Sequence, residues 1–400
     1  MTSIVEDGRL YPRKVAVQSV TAGLDHVLVT WRDGRLSPYH LLWLRDNCRC
    51  RQCVHPDTLE QVFEVADLPA TLPVPECDID ENGDMNVMWW DGHHSLYSAG
   101  WLRAFAYDEV SRAERAECAH STDSSRGHGR DLVLGTDPAA VPRFAFDDVM
   151  ESDACLLEWI LALQAYGLTQ VRDVPRVLDH VGLLGARIAR VRDSEFGKIF
   201  DVRCEPVPGS NANIDLALRP HTDLPTREAP PGWQLLHCLE NSASGGESVF
   251  VDGFVLAEAL RAESPEDFGM LSSQPLPFAT KSKEIDYRFR QPVILLDVLG
   301  AVVEIRIANF LRDPFDAAPE EMMALYRAYR TWLLMSREPR FQLVCRLQPG
   351  EAWCFDNRRY LHGREAFDAT SGARHFQGVY IDRDDWLSRL RMLQRHVTIE

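Results

Sequence analysis

His221 and Asp223 stand two residues apart in Leu218-Arg-Pro-His-Thr-Asp-Leu-Pro-Thr-Arg227. In an extended strand, residues i and i+2 face the same way, so one imidazole and one carboxylate would converge on one point. A third ligand from far downstream would complete a facial set of two histidines and one carboxylate. Such a set leaves positions open on a non-haem iron(II), as oxygen chemistry requires. His362, in Phe355-Asp-Asn-Arg-Arg-Tyr-Leu-His-Gly363, is the candidate third ligand. His-x-Asp alone recurs by chance in many chains, so the rest of the sequence has to carry the assignment.

A second group of ligand-type residues lies near the start. Cys48, Cys50 and Cys53 crowd into Trp43-Leu-Arg-Asp-Asn-Cys-Arg-Cys-Arg-Gln-Cys53, and His93 lies downstream. Three thiolates and one imidazole make a closed tetrahedral zinc site, which stabilises a fold and leaves no position for substrate. His94 and His55 are rival fourth ligands. Free buried cysteines are the other reading, and three of them packed among polar residues speak against it. Ten cysteines in 400 residues are too sparse for a disulfide scaffold, and a tight cluster in a reducing cytosol points to metal.

The elements that must hold these residues fall into two domains. Residues 1–106 read as a small β-rich zinc-binding domain with an internal echo. Val29-Thr-Trp-Arg-Asp-Gly34 and the Trp43-Leu-Arg45 that follows return, at an offset of 58, as Val87-Met-Trp-Trp-Asp-Gly92 and Trp101-Leu-Arg103. Asp-Gly marks a hairpin turn in each copy, because glycine supplies the positive φ. Residues 107–143 read as a linker, polar and Gly/Ser-rich at 121–129, with His120 and His128 as solvated bystanders. From 144 to 400 the pattern is short strands broken by Pro and Gly, with helices expected at 153–166, 179–191, 254–262, 320–335 and 384–396. Gly167 is placed to end the first. Many short strands buttressed by helices predict a mainly β fold with flanking helices, a sandwich or jelly roll.

Composition narrows the class. The apolar share of 45% suits a globular chain with a sizeable core. The net charge of −17 excludes nucleic acid and anionic membrane as natural partners. No apolar run reaches membrane-spanning length, and the first ten residues show no signal-peptide pattern. A cytoplasmic enzyme is expected.

Beyond the two metal motifs, residues 144–400 resemble the taurine-dioxygenase branch of the Fe(II)/2-oxoglutarate oxygenases. The matching elements are Pro220-His-Thr-Asp223, Gly245-Gly-Glu-Ser248 with Val251-Asp-Gly253, Leu361-His-Gly363 and Arg374-His-Phe-Gln-Gly378. The Cys-x-Cys-x2-Cys domain in front, with Gly232-Trp-Gln-Leu-Leu-His-Cys238 and Ser388-Arg-Leu-Arg-Met392, is similar to the γ-butyrobetaine and trimethyllysine hydroxylase family. The resemblance implies a double-stranded β-helix catalytic domain and iron held by His221, Asp223 and His362. It implies 2-oxoglutarate held by Arg374, with Ser248 assisting, and a structural zinc. It further implies ascorbate as a supporting reductant and a homodimer. Arginine suits the cosubstrate role because its fork grips a carboxylate with two parallel bonds. His237 and His375 are then packing or hydrogen-bonding residues.

The implied reaction hydroxylates a small trimethylammonium acid, γ-butyrobetaine first, with a trimethylammonium phosphonate or trimethyllysine as alternatives. The family grips the cation with ring faces. Matching positions put Phe196, Phe200 and Tyr380 in that role here. A fourth cage position falls on Asn213, which forfeits about 0.5–2 kcal/mol of cation–π attraction. The acid end would lie toward Ser210, Asn211 and Asn309, with Arg306 as a further anion partner. A non-catalytic protein that kept the fold would need neither the triad nor Arg374.

Overall fold

The computed structural model describes residues 11, 14–122, 133–203 and 214–396, and it divides the chain into two units, Met1–Cys118 and Ala119–Glu400. Ser210, Asn211, Asn213 and His128 lie outside the described residues.

In the first unit the sequence echo becomes two matching halves. Val17–Ala22, His26–Trp31 and Leu36–His40 form one antiparallel sheet, and Glu76–Ile79, Met85–Met88 and His94–Tyr97 form another. A short helix follows each, Leu41–Asp46 and Ala99–Phe105. The hairpin glycines take φ of 83° at Gly34 and 77° at Gly92, values open to a residue without Cβ. Side-chain bonds repeat as well. Trp31 Nε1 donates to Ser37 Oγ at 3.0 Å, and Trp89 Nε1 donates to Ser95 Oγ at 2.9 Å. Tyr39 donates to the carbonyl of Leu102, and Tyr97 to that of Leu44. The core beneath is aromatic, with Trp31, Tyr39, Trp89, Tyr97 and Trp101 buried. Within the stretch read as a linker, the charged and helix-prone residues 111–117 lie in a helix, Glu109–Thr122.

The second unit is built on two sheets. The smaller runs, in spatial order, Leu218–His221, Tyr360–Arg364, Ser248–Asp252, Gln342–Cys345. The larger runs Arg143–Ala145, Leu168–Arg172, Ala352–Asp356, Trp233–Asn241, Arg374–Ile381, Phe200–Arg203. All neighbours in both sheets are antiparallel except the first pair of the larger one. The sheets face one another through Phe250, whose ring packs on Trp353 and Phe355 at 5.3 Å each. This is the expected jelly roll, and sequence neighbours lie on opposite sheets, as in a double-stranded β-helix.

Helices cover the outer face of the larger sheet. Asp153–Tyr166 starts where Ser152 accepts from the Cys155 N–H, buries Leu156, Trp159, Ile160 and Leu163, and stops at Gly167 with φ 71°. Its neighbour is the C-terminal helix Arg383–His396, whose Trp386 stacks on Trp233 at 4.1 Å. A separate core joins Gly253–Glu263, Pro265–Ser273 and Pro319–Met335 to two hairpins. Pro265–Ser273 was hidden in the sequence by Gly269 at its centre, which lowers helix propensity. No helix among the described residues is long and apolar enough to cross a membrane.

Candidate active site

Strand pairing builds the candidate iron site. His221 ends Leu218–His221 and stands directly opposite His362 on Tyr360–Arg364, so the rings meet with centroids 4.3 Å apart. Asp223, two residues on, places Oδ1 at 3.2 Å from His221 Nε2 and Oδ2 at 3.6 Å from His362 Nε2. One ligand atom from each residue lies within 4.8 Å of the others. Two imidazoles and one carboxylate on one side of a point leave the other side open.

The surroundings prepare these groups for a cation. His221 Nδ1 lies 2.9 Å from the Arg219 carbonyl. A carbonyl only accepts, so Nδ1 donates there and Nε2 is the nitrogen turned toward the candidate metal position. Burial, then the neighbouring His221, pushes His362 down to about 3, which leaves it neutral as a ligand must be. Burial opposes ionisation of Asp223, yet His362, His221 and the Tyr380 hydroxyl hold its carboxyl well below the usual carboxylate range. The residues present therefore fit an iron(II).

The backbone carrying Asp223 is fixed by Asn357, which is 1% exposed. Asn357 Oδ1 accepts from the Asp223 N–H at 2.7 Å, and its Nδ2 donates to the Asp223 carbonyl at 3.0 Å. Thr222 adds a second clasp, its N–H donating to the Ile307 carbonyl at 2.7 Å. Leu224 then takes φ 53°, a value uncommon for a branched residue. Nothing in the amide side chain of Asn357 marked it as this clamp. Its place in the stretch Phe355 to Gly363 that carries His362 was the one signal.

Arg374 lies on the inward face of Arg374–Ile381, its guanidinium 4.1 Å over the Phe376 ring. Its Nε is buried and meets no hydrogen-bond partner among the described residues. Burial, then the nearby Arg364, pushes it down to about 9. A guanidinium this short of counter-charge fits an anionic ligand such as a carboxylate. Gly245 and Gly246, at φ 80° and 77°, turn the chain beside it, and a Cβ on Gly246 would lie 3.4 Å from Arg374 Nε. Ser248 opens the next strand and stands opposite Arg364. It shares a strand face with Phe250, which points between the sheets.

Three rings stand in a row that ends at Asp223. Tyr380 is buried and stacks on Phe200 at 4.8 Å, and Phe200 meets the 45%-exposed Phe196 at 6.3 Å. The Tyr380 hydroxyl donates to Asp223 Oδ2 at 2.7 Å. Asn309 is exposed and accepts from the Tyr329 hydroxyl at 3.1 Å, while the next residue, Phe310, packs edge-on against His221 at 5.0 Å. Arg306 does not serve an anion from outside. It is 2% exposed, is 2.7 Å from Glu304, and donates to the carbonyls of Arg227 and Glu228. A buried pair of this kind has no free donor face.

The cysteine cluster closes around His93. Its Nε2 lies 3.3 Å from Cys48 Sγ and 3.6 Å from Cys50 and Cys53 Sγ. All four ligand atoms lie within 4.8 Å of one another, a set that suits zinc. Arg45 Nη1 donates to Cys53 Sγ at 3.3 Å, and the bond from Cys53 helps hold the Cys48 thiol down to about 4. Of the rivals, His55 is exposed and caps the N–H groups of Asp57 and Thr58, and His94 pairs with Met88 in its sheet.

Comparison with known proteins agrees with both halves. Residues 129–380 match the taurine catabolism dioxygenase TauD, TfdA family, and residues 20–103 match the gamma-butyrobetaine hydroxylase-like, N-terminal family. A gamma-butyrobetaine dioxygenase of Pseudomonas sp. (strain AK-1) is 48% identical over 98% of this chain and 100% of its own. The gamma-butyrobetaine dioxygenase of Homo sapiens is 30% identical, over 92% of this chain and 94% of its own. A trimethyllysine dioxygenase of Meyerozyma guilliermondii is 27% identical over the same shares, 92% and 94%. The chain therefore belongs to the TauD, TfdA family of Fe(II)/2-oxoglutarate dioxygenases, in the branch that carries the gamma-butyrobetaine hydroxylase-like N-terminal unit.

Proposed function

We propose that this dioxygenase hydroxylates γ-butyrobetaine to L-carnitine, with release of succinate and CO2. The observation that carries the reading is the row of rings Phe196, Phe200 and Tyr380 running up to the Asp223 carboxylate. Ring faces hold a quaternary ammonium, which has no N–H to donate. The 48% identity to a gamma-butyrobetaine dioxygenase supports the same substrate.

In this reading His221, Asp223 and His362 hold the iron, which supplies the oxidative decarboxylation of 2-oxoglutarate and the oxidant for a C–H bond. Arg374 binds the far carboxylate of 2-oxoglutarate, with Ser248 beside it. The rings seat the trimethylammonium group, and Asn211 and Asn309 receive the acid end. Seating both ends fixes which carbon faces the metal, the orientation effect on which such rates depend. Cys48, Cys50, Cys53 and His93 hold a structural zinc. Ascorbate supports turnover, the protein acts as a cytoplasmic homodimer, and the product belongs to carnitine biosynthesis.

A related quaternary ammonium compound is the second reading, favoured by one residue. Asn213 stands where the family has a further ring, so a trimethylammonium phosphonate or trimethyllysine competes as substrate. Mass-spectrometric turnover with Fe(II), ascorbate and 2-oxoglutarate decides between them, with the three candidates offered side by side. Hydroxylation of γ-butyrobetaine above the others is the expected result. Succinate without hydroxylation of γ-butyrobetaine would overturn the first reading.

A further inference from the structure

Glu195 is engaged on one side only. Its Oε2 accepts a 2.6 Å bond from Arg227 Nη2, and the Arg227 guanidinium lies 3.4 Å over the Tyr287 ring. The Glu195 side chain is 6% exposed, and its Oε1 is buried with no hydrogen-bond partner among the described residues. A dry, unpaired carboxylate oxygen is costly, so a site that keeps one has a use for it. The next residue is Phe196, the outermost of the three rings.

We infer that Glu195 is a specificity-determining residue whose free carboxylate oxygen supplies negative charge to the cationic end of the substrate. The inference rests on the quaternary-ammonium reading above and adds the group that separates a cation from a neutral molecule of the same shape. Rings alone hold a tert-butyl group well, because much of their contact is apolar burial. A carboxylate in a low-dielectric wall rewards only the charge. Arg227 occupies Oε2, so Oε1 is the oxygen left to act on a ligand. The same ion pair ties the turn bearing Phe196 to the segment that follows Asp223.

Calorimetric titration of the iron- and 2-oxoglutarate-loaded protein under anaerobic conditions tests this. The ligands are γ-butyrobetaine and its neutral isostere, in which carbon replaces the quaternary nitrogen. The native protein is expected to favour the cation at least about tenfold, and Glu195→Gln to shrink that ratio about tenfold. Glu195→Asp keeps the charge and should keep most of the preference, which serves if the Gln variant folds poorly. A native protein that binds neither ligand, or binds both equally, overturns the quaternary-ammonium reading and this inference with it. A native preference that survives unchanged in Glu195→Gln overturns the inference alone. So does equal weakening of both ligands, which would leave Glu195 only the placement of Phe196, and so does loss of all preference in Glu195→Asp.

Discussion

The Tyr380 hydroxyl donates a 2.7 Å hydrogen bond to Oδ2 of Asp223, the oxygen that also faces His362 Nε2. One side chain thus belongs to two parts of the site. Its ring stacks on Phe200 in the proposed substrate wall, and its hydroxyl bonds to a candidate metal ligand. Tyr380→Phe keeps the ring and removes the bond. Iron affinity should fall about 10–100-fold, the usual effect of losing a partner behind a ligand, while affinity for γ-butyrobetaine changes little. Fe(II) titration followed by substrate titration reads both. An unchanged iron affinity would show that the hydroxyl does not tune the carboxylate.

Asn357 makes two bonds to the main chain of Asp223 from a position closed to water. Asn357→Ala leaves both backbone groups without a partner. The expected cost is about 2–6 kcal/mol of stability, from two buried groups at roughly 1–3 each. Denaturant unfolding measures it. Iron binding should weaken too, since the Leu224 turn loses its brace. A variant as stable as the native protein would mean that water replaces the amide at no loss.

Gly378 faces Phe200 across paired strands. A Cβ there would lie 2.5 Å from Phe200 Cε2 and 3.0 Å from Leu236 Cδ2. Gly378→Ala must displace the Phe200 ring, at about 1–3 kcal/mol for overpacking. Substrate affinity should drop with little change in iron affinity, the reverse of the Tyr380→Phe pattern. Calorimetry on the variant checks the split, and unaltered substrate binding would remove Phe200 from the wall.

Cys50→Ser deletes one of the four ligands gathered at His93. Zinc content per chain, measured by elemental mass spectrometry, should fall from about one to near zero. The loss should appear as lower stability, because closed sites of this type supply folding energy. Metal content equal to the native protein would refute the zinc assignment.

Much of this was legible in the chain because the relevant signals are local. His221 and Asp223 are two apart, the three cysteines crowd together, and Gly167 sits where its helix stops. What escaped the sequence depends on partners far apart in it. Arg306 looked like a free cation until folding paired it with Glu304 and with the carbonyls after Asp223. The clamp from Asn357 to Asp223 crosses 134 positions. Glu195 resembles any loop glutamate until folding brings Arg227 onto one of its oxygens and buries the other. Charge and side-chain type state what a residue can do, and only packing states which of its atoms remain unengaged.

The reciprocal tyrosine bonds of the Met1–Cys118 unit carry a consequence of another kind. Tyr39 reaches Leu102, and Tyr97 reaches Leu44, so that donors and acceptors are each other's counterparts at the offset of 58. Contacts of i with j and of j with i are the mark of an isologous dimer. The two halves of the unit stand to one another as the two subunits of such a dimer would, joined in one chain. The halves differ at the counterparts Arg35 and His93. Where one copy presents His93 to the thiols, the other presents Arg35, which bonds to Ser111 and to Glu114, the latter at 2.7 Å. The two equivalent positions thus serve different fastenings, a cluster of metal-type ligands at one and an ion pair at the other.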